Sequence, residues 1–167
     1  MYSKLLAIVQ KKLRVRVYNK GGRGHHGGIT TYHRGSLRHR RIYRYINFLA
    51  PQNVEGVVLK ILYDPNRTAN IALLYYLSGF CGYTLAAEGL RVGSTIFSGF
   101  LPPKVEDAFA VGSTLPLRLL PIGFVVHNLE IAPGKGAKIC RAAGSSAVIL
   151  KKLSDRVLLK LRSGWNV

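Results

Sequence analysis

The first 48 residues contain twelve Lys and Arg side chains and no Asp or Glu; the first acidic residue is Glu55. Like charges at this density repel one another and find no partner within the segment. It is therefore expected to stay extended unless a polyanion screens it. Four of the five histidines, His25, His26, His33 and His39, lie in the same stretch. The remaining residues carry both signs. The whole chain, 167 residues long, has a formal net charge of +18. A charge so far from zero points to a polyanionic partner, nucleic acid before an anionic membrane. A hydrophobic fraction of 48% is enough for a real core and excludes a wholly disordered basic tail. Two cysteines can make neither a disulfide framework nor a four-thiolate zinc site.

Beyond the arm the sequence reads as strands. Ile29–His33 and Ile42–Phe48 are rich in β-branched and aromatic residues. Val54–Tyr63 follows and breaks at Asp64-Pro65-Asn66, a turn signal. Thr68–Ala87 carries no charge and is long enough to cross a bilayer as a helix. Asn70, Ser78, Gly79 and Gly82 interrupt it, so a hairpin of Asn70–Leu77 with Tyr83–Ala87 is the better reading, and no membrane partner is expected. Ile96–Phe97, Val125–Ile131, Ser146–Leu153 and Arg156–Arg162 complete the set. Prolines and glycines between residues 99 and 123 leave no room for a long helix. Short strands with frequent turns predict an all-β chain: an extended basic arm over 1–45, a first barrel over 46–114 and a second over 115–167.

The run Gly21-Gly22-Arg23-Gly24-His25-His26-Gly27-Gly28 interleaves glycine with cationic side chains. Glycine lets backbone N–H groups approach phosphates, and arginine adds a bidentate fork. With its flanking cations it reads as an RNA-threading arm whose candidate contacts are Arg14, Arg16, Lys20, Arg23, His25, His26, Arg34, Arg38, Arg40, Arg41 and Arg44. Tyr32, Tyr43, Tyr45 and Phe48 suit stacking on bases, or half of them line the first barrel's core. A metal at His25 and His26 would lack a third ligand, since no Cys, Asp or Glu precedes Glu55. Pro133-Gly134-Lys135-Gly136-Ala137-Lys138 lacks the full pattern of a nucleotide-hydrolysing loop, yet Lys135 and Lys138 with the loop glycines suffice to hold an RNA phosphate. No nucleophile elbow or carboxylate pair is visible, and His127 between apolar neighbours reads as a packed strand residue. Neither an enzyme, a metal nor a cofactor is expected.

Several runs together resemble the universal large-subunit ribosomal protein L-two family of bacterial type. They are Gly21-Gly22-Arg23, Gly28–His33, Tyr63–Leu73, Gly112–Pro116, Val126–Glu130, Pro133–Gly136, Arg141–Gly144 and Leu161–Gly164, in the family's order along residues 20–164. The resemblance implies an OB-like barrel followed by an SH3-like barrel. It implies binding to large-subunit ribosomal RNA beside neighbouring ribosomal proteins, and a role in assembly near the peptidyl transferase region. It further implies that Arg67 and Arg141 contact RNA; both sit in tight turns from which a guanidinium can reach a phosphate.

Three departures from the family pattern shape the remaining expectations. The N-terminal arm is shorter, and Leu73-Leu74-Tyr75-Tyr76-Leu77 is more apolar than usual. The chain also stops at Trp165-Asn166-Val167. This pattern suggests an organellar ribosome, mitochondrial in preference to plastid, and a separate chain carrying a missing C-terminal segment. On that view the edge of the last strand stays open and Trp165 anchors the partner. The competing function is a free-standing OB-fold RNA chaperone or translation factor; a nucleic-acid-processing enzyme would need an acid cluster for metal ions.

Overall fold

The computed structural model describes residues 2–15, 20–33, 42–49, 51–100 and 109–167. Arg16, Arg34, Arg38, Arg40 and Arg41 lie outside the described residues. The chain is nearly all β, an OB-like barrel followed by an SH3-like barrel. One short helix, α1 (Tyr2–Lys12), precedes them.

That helix departs from the expected extended arm. Leu6, Val9 and Leu13 recur at helical spacing and pack against Ile46, Ile71, Leu73, Tyr83 and Leu85. Burial of this stripe outweighs the repulsion among its lysines, two of which, Lys11 and Lys12, sit in the last turn, where the helix dipole favours cations. Two-residue strands β1 (Arg14–Val15) and β2 (Tyr43–Arg44) then pair antiparallel. The glycine-rich stretch between them is also structured. Gly24 N–H donates to Gly28 O at 2.9 Å, Thr30 and Thr31 N–H both donate to Gly22 O, and Arg23 bridges to Ile29. Ile29–His33 is thus one side of a small looped hairpin rather than a strand, with Gly21, Gly22 and Gly27 supplying the left-handed conformations.

The first barrel is built on a sheet of order β5-β4-β3-β6: β3 (Val54–Leu62), β4 (Ile71–Tyr76), β5 (Cys81–Leu85) and β6 (Thr95–Ser98). The expected hairpin turns at Ser78-Gly79, where Gly79 N–H donates to Tyr76 O. Among the described residues no helix is long and apolar enough to cross a membrane. Strand β4 is buried on both faces. Ala72, Leu74 and Tyr76 join Val58, Leu90 and Ile96 in one cluster, while Ile71 and Leu73 face the cluster that α1 covers. A strand with no solvent face reads as a continuous apolar run, which accounts for Leu73-Leu74 without reference to ancestry.

The second barrel contains β7 (Val125–Val126), β8 (Ala147–Lys152) and β9 (Val157–Leu161), with Leu129, Ala147, Ile149 and Leu159 at its centre. His127, read as packed, is exposed just past β7. Each barrel has a register shift in a long strand, between Val58 and Lys60 and between Ile149 and Lys151, and such bulges bend a sheet toward closure. The junction is tight. Gly99 N–H donates to Thr114 O, and a Cβ at Gly99 would lie 2.6 Å from Asn53 N and 2.8 Å from its Cα.

The edge of β9 is not open. After a turn at Ser163-Gly164 the chain folds back, so that Leu159 and Val167 exchange two backbone hydrogen bonds and Leu161 N–H donates to Trp165 O. The expectation that a partner must fill this edge is corrected by that pairing: the chain's own last residues do so. Trp165 remains 75% exposed.

Two outcomes follow. Gly99→Ala should lose about 1–3 kcal/mol in urea unfolding, because the added carbon meets backbone that cannot give way. Trp165, the single tryptophan, should show the red-shifted, readily quenched emission of a solvated indole in the folded chain.

Candidate nucleic-acid interface

The turn Asp64-Pro65-Asn66-Arg67 encloses a carboxylate. Asp64 has no exposed side-chain surface. Its Oδ1 accepts from the Asn66 backbone N–H at 3.0 Å, and its Oδ2 accepts from Arg67 Nε at 2.7 Å. Arg44 Nη1 lies 3.5 Å from Oδ1, and Asn66 Nδ2 donates to Ile42 O. Burial alone would push the Asp64 carboxyl up; the Asn66 amide, Arg67 and Arg44 together outweigh it and hold the group below its ordinary value. Arg67 is therefore partly committed to its own turn. Its side chain keeps 21% of its surface exposed.

Arg14 and Arg44 are directly opposite each other in the β1–β2 pair. Arg14 is exposed and Arg44 half-buried. The fold thus gathers Arg44 and Arg67 about one carboxylate and sets Arg14 opposite Arg44, three cations to one acid.

A second group forms on the other barrel. The Arg141 guanidinium stacks 4.5 Å over the Phe48 ring, and Ala137 N–H donates to Phe48 O at 3.0 Å. Phe48 belongs to the segment that carries Arg44, so one short stretch of chain links both cationic groups. Lys135 and Lys138 are exposed on the same loop as Ala137. One of that loop's amides, Gly134 N–H, donates to Glu130 Oε2 at 3.2 Å and is engaged within the protein. Lys20, Arg23, His25 and His26 are exposed along the glycine hairpin, where the two imidazoles lie 5.6 Å apart and Arg23 also donates to Gly27 O. Tyr32 and Tyr45 are exposed at 76% and 59%, and Tyr43 and Phe48 are half-buried. Among the described residues no group of His, Cys, Asp and Glu could hold a metal.

Sequence reading missed Asp64 as the organising group, Phe48 as the seat of Arg141, and Tyr83, whose buried side chain reaches this cluster. An acid inside an otherwise basic turn, Asp-Pro-Asn-Arg, was the available signal for the first. The other two depend on pairings across distant parts of the chain.

Two barrels linked through residues 42–49, with cationic and aromatic side chains at the surface, have the form of a nucleic-acid-binding protein. Residues 10–98 match the family described as Ribosomal Proteins L2, RNA binding N-terminal domain, and residues 110–166 match Ribosomal Proteins L2, C-terminal domain. The chain belongs to the ribosomal protein L2 family. The second match covers the second barrel almost to the last residue, so the expectation of a separate chain supplying the C-terminal part finds no support.

The Asp64 ion pairs set a pH dependence. A carboxyl held below its unfolded value stabilises the fold fully above about pH 4, and that contribution is lost as the pH falls through the lower folded value. Asp64→Ala should cost about 3–5 kcal/mol at pH 7, by leaving buried guanidinium without its counter-charge, and the gap to the natural chain should close on acidification. Urea titrations at pH 7 and across the acid range measure both.

Proposed function

We propose that this protein is a non-enzymatic constituent of the large ribosomal subunit that binds large-subunit ribosomal RNA and supports assembly of the peptidyl transferase region. The observation that carries the reading is the pair of cationic groups, Arg14–Arg44–Arg67 and Lys135–Lys138–Arg141, joined through residues 42–49 in a chain of the L2 family. Cations supply affinity for phosphates without reading sequence, and specificity then comes from RNA shape matched to a rigid arrangement. Arg23, His25 and His26 extend the contact along the hairpin, and Arg16, Arg34, Arg38, Arg40 and Arg41 add charge to the same arm. Tyr32 and Tyr45 offer exposed rings for unpaired bases. Neighbouring ribosomal proteins complete the surroundings. The ribosome concerned is organellar, mitochondrial in preference to plastid.

Sedimentation tests it. The protein should remain with large subunits after a high-salt wash, in one copy per particle, and organelle fractionation should recover it with mitochondrial ribosomes. A protein that washes off particles at moderate salt would instead be a free RNA-binding factor. In purified form it should prefer large-subunit RNA fragments to unrelated RNA of equal length. Arg141→Ala should weaken that binding about tenfold, as loss of one charge-assisted contact does.

A further inference from the structure

We propose that Arg14, Arg44 and the Tyr83 hydroxyl form a site for a single phosphate group, with Tyr83 as its buried donor. The proposal deepens the RNA reading above, which supplies the natural ligand: one backbone phosphate of the bound RNA.

Three observations converge. The first is register. Arg14 and Arg44 are Cα partners in an antiparallel pair, so both side chains leave the same face a few ångströms apart. Like charges so placed destabilise a ladder, and this one is only two residues long. Asp64 relieves Arg44 only in part. It reaches Arg44 at 3.5 Å, and its oxygens are already engaged by Arg67 Nε and the Asn66 amide.

The second is unused hydrogen-bonding capacity. Arg44 Nε and Nη1 are buried and have no hydrogen-bond partner among the described residues. A buried charged donor left in that state is costly. The Tyr83 hydroxyl is in the same condition, on a side chain only 1% exposed.

The third is position. Tyr83 bridges to Ile46, two residues from Arg44, and accepts a backbone hydrogen bond from Asn47 at 2.9 Å. Burial holds the phenol above its ordinary proton affinity despite the opposing pull of Arg44 and Arg14, so the hydroxyl stays protonated and can donate. Arg44 Nε and the Tyr83 hydroxyl are buried donors without acceptors, and the exposed Arg14 adds a second guanidinium beside them. A tetrahedral phosphate supplies acceptor oxygens in several directions, and its negative charge offsets part of the positive charge of Arg14 and Arg44.

The test uses the full chain and inorganic phosphate, with melting followed in phosphate and in chloride at equal ionic strength. Phosphate should raise the melting temperature of the natural chain. Tyr83→Phe should be at least as stable in chloride, because it removes an unpartnered hydroxyl, yet bind phosphate roughly tenfold more weakly. Arg14→Gln, an exposed change that leaves the Asp64 contacts alone, should do the same and carries the test should Tyr83→Phe not fold. Unchanged phosphate affinity in both variants would overturn the site and assign the effect to other cations. In RNA titrations Arg14→Gln should lower the log–log salt slope by about one. If that slope holds while phosphate binding is lost, the assignment to an RNA phosphate is overturned. Should the natural chain fail to distinguish large-subunit RNA from unrelated RNA, the proposed function falls while the phosphate result stands.

Discussion

Residues 42–49 hold the molecule together. Ile42 O accepts from Asn66, Arg44 faces both Arg14 and Asp64, and Tyr45 N–H donates to Leu13 O. Ile46 and Asn47 engage Tyr83, and Phe48 receives Ala137 and Arg141 of the second barrel. Eight residues thereby connect the helical start of the chain, the first barrel and the second. The segment contributes hardly any regular strand of its own, a two-residue ladder and one bridge. Its importance lies in the variety of its partners, and Arg14, the Asp64 turn with Arg67, and Arg141 are each held against it.

Around this segment the cations serve two purposes. Arg67 closes its own turn on a buried carboxylate and still shows part of its side chain to solvent. Arg141 lies flat on Phe48 yet sits on the surface. Stacking or pairing an arginine on one side fixes its orientation and lowers the entropy lost when the other side meets a phosphate. Lys135 and Lys138, with no such restraint described, act as simple point charges.

Much of the architecture was legible in the residues. Strands β3, β4, β5, β8 and β9 fall within a few residues of their expected limits because Asp64-Pro65-Asn66, Ser78-Gly79 and Ser154-Asp155 mark the turns by local chemistry. What escaped was everything decided at long range. The charge of residues 1–15 argued for an extended chain, and only the presence of Ile71, Leu73 and Tyr83 makes a helix worthwhile there, by giving Leu6, Val9 and Leu13 something to cover. Likewise Trp165 was read as an anchor for another chain because its own partner, Leu159–Leu161, is recognisable only once the turn at Gly164 is known. The basic residues of the candidate interface were found from the charge of the arm and the 133–138 loop, and Arg67 and Arg141 through the family resemblance; that Asp64 and Tyr83 organise some of them was not, since neither is cationic.

The glycine hairpin of residues 21–31 bears on how an arm of this charge would meet its ligand. A fully disordered arm surrenders its backbone freedom at the moment of contact, and binding by such a segment is accompanied by a large unfavourable ordering entropy. Here the bonds from Gly24 to Gly28 and from Thr30 and Thr31 to Gly22 have already fixed one section of it, with His25 and His26 held at the tip. On the proposed function, that section would dock as a shaped object. Its share of the heat-capacity change on binding should be small, and its association should be governed by long-range steering of a preformed loop more than by a search through conformations.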